Sequence, residues 1–144
     1  MSRSAMHILG LIAVAVAAAA FFLPFLESGE QGLSLFQISG ETPGVNYVFI
    51  ISWVLIAGML ACALTDDLPG LAPLAFLYCV YPTYAYHNSG HLLADVEVPA
   101  AFPPFAGAPA AFGYYLLFVA AYVAIAIGIV DGLRRRRRPV EVVA

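Results

Sequence analysis

The sequence predicts an all-α membrane protein, a bundle of four transmembrane helices with a small β element in the loops on one side. Three observations carry this. First, 62% of the 144 residues are apolar and only 10% charged, where a soluble domain is about half apolar and about a quarter charged. The mean hydropathy is +0.90. Second, four segments are long and apolar enough to span a bilayer. Third, the basic residues lie only at the two ends of the chain, as Arg3 and the arginine run 134–138. A soluble fold of this length has too little interior for so much apolar surface, whereas a bilayer accommodates it. The length suits one domain, residues 1–144.

The expected spans are residues 6–26, 45–65, 71–87 and 112–133, followed by an arginine-rich tail, 134–144. A span needs about 20 apolar residues, with about 17 as the workable minimum, so the third is the shortest acceptable. The first passes through an alanine-rich stretch, 13–20. Its basic start and short apolar core also resemble a signal peptide, but the apolar run continues to Leu26, which favours retention as a span. Turn formers separate the segments. Gly40, Pro43 and Gly44 precede the second span, and Asp66-Asp67-Leu68-Pro69-Gly70 makes a tight polar link to the third. Pro73 suits a first helical turn, while Pro82 falls inside the third span and predicts a kink. The stretch 98–109, with Pro99, Pro103, Pro104 and Pro109, cannot form regular helix.

Arg3 and the arginine run flank an even number of spans, so both clusters fall on one side. By the positive-inside rule that side is the cytoplasm, which places both termini there. The two longer loops, 27–46 and 88–111, then face outward and contain no lysine or arginine. Aromatic residues gather toward the outer ends, including Phe21, Phe22, Phe25, Tyr47, Trp53, Tyr84, Tyr86, Tyr114 and Tyr115, as interfacial rings do. The arginine run reads as a topology anchor touching anionic lipid rather than as a nucleic-acid contact. All six basic residues are arginine, which together with abundant alanine points to a GC-rich bacterial genome and to the bacterial inner membrane.

Small side chains allow helices to approach in lipid. Ala120, Ala124, Gly128 and Gly132 recur every four residues on the fourth span and predict a packing seam, with Leu117 expected to lie off it and tolerate truncation. Ala57, Gly58, Ala61 and Cys62 do the same on the second span, and Ala13, Ala15, Ala17 and Ala19 on the first. In the outer loops, residues 33–38 and 95–98 alternate apolar and polar as half-buried strands do. Pairing the two would tie the outer loops into a small sheet.

Candidate chemistry is sparse. His87, His91 and Asp95 are spaced by four, which on a helix would place two imidazoles and a carboxylate on one face as a metal site. Asn88-Ser89-Gly90 between them favours a turn instead. His7 reads as an interfacial side chain. Tyr78, Tyr81 and Tyr84, three apart, approximate one face where a quinone, lipid or pigment could stack, although packing is the commoner use. Cys62 and Cys79 sit in apolar segments at depths differing by about 7 Å, which opposes a bridge. Apart from Ser52, Thr83 and these thiols, mid-span positions are apolar, small or aromatic, which disfavours pumps and proton-driven transporters. There is no HExxH, GxSxG or phosphate-binding loop, and no cofactor is expected.

Leu23-Pro24-Phe25 closing the first span, a Gly/Ser-rich outer loop and Gly113-Tyr114-Tyr115-Leu116 opening the fourth resemble small four-span bacterial inner-membrane proteins. The layout, with a strand-bearing first outer loop, is also similar to the claudins, although the Trp, Gly-Leu-Trp and paired cysteines of that loop are missing. The resemblance covers topology alone and implies a scaffold rather than a reaction. The expectation is thus a non-enzymatic structural or accessory subunit, whose partners are the bilayer and a membrane protein or a second copy. The alternative is a protein that binds or transports a small ligand, metal or haem at the outer mouth, near His87, His91 and Asp95.

Overall fold

A computed structural model describes residues 2–41, 46–65, 67–94 and 99–137. Helix α1 (Arg3–Ala20) opens at Ser2, whose Oγ accepts the Ala5 amide at 3.2 Å, and alanine sustains it as the best helix former. It stops at Ala20, six residues before the expected end at 26. Pro24 is the cause: it has no amide to donate and holds Leu23 away from helical backbone. The amides of Phe22 and Leu23 close the last turn on the Ala19 and Ala20 carbonyls. The chain then enters a hairpin, β1 (Pro24–Ser28) and β2 (Gln31–Ser34), with Glu27 opposite Gly32 and Ser28 opposite Gln31. Gly29, with φ +63°, takes the first central position of the two-residue turn, where only glycine adopts the left-handed backbone without strain.

The strand expected over 33–38 ends at Ser34, and α2 (Leu35–Glu41) begins at the next residue. A capping box makes the switch. The Gln37 amide donates to Ser34 Oγ at 3.2 Å, and the Ser34 amide and hydroxyl donate to Gln37 Oε1 at 3.0 and 2.9 Å. The second expected strand, 95–98, lies outside the described residues. Strand β2 pairs with β1, and on the other edge of β1 Leu26 bridges Ala110 of the loop before α6.

The remaining long helices are α3 (Asn46–Leu64), α4 (Leu71–His87) and α6 (Phe112–Arg136), with the single turn α5 (Ser89–Leu92) after α4. The expected 45–65 and 71–87 thus hold to within one residue, and the expected 112–133 extends by three at its end. Pro82 is buried within α4, which runs on to His87. A 3₁₀ turn, Leu68–Gly70, joins α3 to α4, and a second, Pro103–Phe105, interrupts the proline-rich loop.

Helix α1 packs on α6 and α3, and α4 packs on the same two, closing a ring around one core. Across it, Tyr78 Oη of α4 donates to the Ala17 carbonyl of α1 at 3.0 Å. His7 lies against Ala63, Arg134 against Met6, and the position of a Cβ on Gly128 against Ala72. The start of α1, the end of α3, the start of α4 and the end of α6 therefore share one end of the bundle. Helices α1 and α6 are each long and apolar enough to cross a membrane by length and composition, and Phe49–Leu64 of α3 is a shorter apolar helix.

The seam on α6 holds Ala120, Ala124 and Gly128, all buried. Leu117 also belongs to it, with none of its surface exposed, which corrects its expected place off the seam. Steps of three and four residues from Leu117 to Ala120, Ala121 and Ala124 keep it on the inward face.

Candidate functional site: the cap over the bundle

At the end opposite the start of α1 and the end of α6, the hairpin, α2, α5 and the proline-rich loop form a cap. Its parts are stitched by backbone bonds. The Glu27 amide donates to the Pro109 carbonyl at 3.1 Å, the Ala111 amide to the Phe25 carbonyl at 2.9 Å, and the Phe36 amide to the Phe21 carbonyl at 3.0 Å. The two loops are thus tied by β-type pairing through residues 24–28 and 109–111; the pairing expected of 33–38 with 95–98 involves residues outside those described. A Cβ on Gly113 would stand 2.6 Å from the Pro24 carbonyl oxygen. Glycine at 113 is what lets α6 start against the hairpin.

Two groups of rings anchor the cap. Phe21, Phe22, Phe36, Phe49 and Trp53 join α1, α2 and α3, with Phe22 and Phe36 centroids 5.0 Å apart. Phe25, Tyr86, Tyr114 and Phe118 join β1, α4 and α6 at 4.7–5.4 Å. Edge-to-face and tilted pairs of this kind each contribute about 0.5–1.5 kcal/mol beyond area burial. The outward rim is polar and acidic, with Glu27, Glu30, Gln31, Gln37 and Glu41 exposed.

His87 ends α4, exposed, with its ring edge-on to Tyr86 at 5.6 Å. His91 is exposed on α5. The chain breaks between them, since Asn88 closes α4 through its amide and side chain on the Tyr84 carbonyl at 3.0 and 2.9 Å. Both histidines nevertheless line one open cleft of about 290 Å³, with Tyr86, Ser89, Gly107 and Ala108. Asp95 lies outside the described residues, and among the described residues no three His, Cys, Asp or Glu side chains gather as a metal site would require.

The tyrosines of α4 do not share a face. Tyr78 points into the core, Tyr81 is half-buried and Tyr84 is exposed. At 3.6 residues per turn, two steps of three separate Tyr78 from Tyr84 by about 120°. Tyr78 is a packing residue that satisfies the Ala17 carbonyl. His7 Nδ1 lies 2.9 Å from the Ala63 carbonyl, an acceptor only, so the imidazole proton sits on that nitrogen. Cys62 and Cys79 are free thiols.

Two polar features were not anticipated from sequence. Asp131 is buried on α6 and accepts from Arg135 Nε at 2.7 Å, an i,i+4 pair near the end of that helix. Ser52 Oγ is buried without a hydrogen-bond partner among the described residues. The spacing of Asp131 and Arg135 carried the first signal, hidden by the arginine run around it. Comparison with family models, curated proteins and solved structures gave no match.

Proposed function

We propose that this chain is a four-span protein of the bacterial inner membrane, with both termini in the cytoplasm, and that it is a non-enzymatic accessory or scaffold subunit engaging a membrane partner through its outer cap. One observation carries the reading. Small residues, Ala13, Ala17, Ala75, Ala120 and Ala124 among them, are buried between the helices, while Ile12, Val54, Phe76 and Tyr122 point outward with over half of their surface exposed. Outward apolar residues of this kind occur on all four long helices. Water penalises such a surface and lipid does not. The arginine-rich end shared by the start of α1 and the end of α6 supports the inward orientation. The acidic rim of the cap suits a partner with a basic surface.

A second reading, a metal or small ligand at the outer mouth, draws on the cleft shared by His87 and His91. Tagged protein purified from native membranes separates the two. The scaffold reading expects a membrane protein to co-purify and to be lost when Glu30 and Glu41 are both changed to Lys. Metal in the purified protein, or a haem absorbance band, abolished by His91→Ala and with no protein retained, would overturn it in favour of the second.

A further inference from the structure

At the end of the bundle where α1 starts and α6 ends, an open groove of about 250 Å³ separates the start of α4 from the last turns of α6. Pro69 and Ala72 form one wall, Gly128, Gly132 and Leu133 the other, and Arg136 closes it toward the chain terminus. The two glycines differ in what they do. A Cβ on Gly128 would stand 2.7 Å from the Ala72 amide nitrogen, so close helix packing requires glycine there. A Cβ on Gly132 would meet only Pro69, at 3.8 Å, an ordinary contact. Helix packing makes no such demand at Gly132, and the missing side chain leaves the groove open.

The arginines that follow divide in the same way. Arg135 is held by Asp131, and Arg134 Nη1 reaches Met6 Sδ at 3.5 Å. Arg136 continues the four-residue stripe of Gly128 and Gly132, is exposed, and makes no ion pair with any described residue. An apolar trough ending in a guanidinium with no ion-pair partner among the described residues suits an amphiphile with an anionic head. The planar fork pairs with a phosphate diester, and a bare glycine floor admits hydrocarbon.

We propose that this groove binds an anionic phospholipid of the cytoplasmic leaflet, its phosphate on Arg136 and the upper carbons of one acyl chain lying along the open side of the groove, over Gly132 and beside Leu133. The proposal rests on the membrane-spanning reading, which places this end at the leaflet where anionic headgroups attract basic side chains.

The full chain, purified in detergent, is titrated with phosphatidylglycerol or phosphatidylcholine, and bound lipid is counted by native mass spectrometry. Arg136→Gln should weaken phosphatidylglycerol binding about fivefold, the effect of one basic residue at an anionic headgroup. Gly132→Val, which fills the groove without altering charge, should weaken it too, and Arg137→Gln should bind as the parent does. Phosphatidylcholine should bind all four proteins alike. Equal losses from Arg136→Gln and Arg137→Gln would reduce the site to diffuse arginine charge. Parent-like affinity in Gly132→Val, with an unchanged melting temperature, would remove the groove from it. Displacement of the lipid by millimolar inorganic phosphate would make it a free-phosphate site. Carbonate extraction of native membranes is read separately: release of the protein would sink the spanning reading itself, while retention alongside indistinguishable variants sinks only the lipid site.

Discussion

Gly128 and Gly132 lie one turn apart on α6, and a methyl group added at each has opposite consequences. At 128 the new carbon enters the backbone of Ala72, which can move only if α4 moves. At 132 it rests in ordinary contact on Pro69. Gly128→Ala should therefore destabilise by about 1–3 kcal/mol, the usual range for overpacking, while Gly132→Ala leaves the detergent melting curve unchanged. Coincident melts for Gly128→Ala and the parent would mean that α4 and α6 are not in contact there. Asp131 is another side chain whose neighbours decide its meaning. A lone carboxylate so buried would be costly, and the short bond from Arg135 is what offsets its loss of water.

Among the elements, the long helices were the most legible, because apolar length and the glycine and proline punctuation between segments act locally. The helical segments expected at 45–65 and 71–87 match α3 and α4 almost residue for residue. The reading failed where two local signals compete. From 21 to 26 the apolar run argued for continued helix, but Pro24 ended it and the same residues became turn and strand. From 33 to 38 alternation argued for strand, but the Ser34–Gln37 capping box is a helix-start signal that was present in the sequence and overlooked. That the two loops would be tied by strand pairing was legible, but the segments 24–28 and 109–111 were not, since they carry no alternating pattern strong enough to name each other. Of the site, the positions of His87 and His91 were legible, whereas their separation by the helix break at Asn88 depended on backbone geometry. The junction of cap and bundle yields its own expectation. Gly113→Ala forces a carbon against the Pro24 carbonyl, so limited proteolysis should cut the hairpin and the proline-rich loop faster than in the parent. If the cleavage pattern is unchanged, the cap is not held by the start of α6.

Taken whole, the molecule buries small residues together with large ones such as Met59, Tyr78 and Leu117, carries further large apolar side chains on its outer faces, and is bonded at one end by Asp131–Arg135 and His7–Ala63 and at the other by aromatic rings and a small sheet. A polar rim on one end and arginine on the other give the bundle a direction, and the proposed role depends on which side of a membrane that direction turns the cap toward. Reporter fusions read it directly, with an enzyme active only outside the cytoplasm or a fluorescent protein active only inside, joined after Gly40, after Ala106 and at the C-terminus. Four spans with both termini inside predict external activity at Gly40 and Ala106 and cytoplasmic activity at the C-terminus. External activity at the C-terminus, or cytoplasmic activity at either cap position, would contradict it.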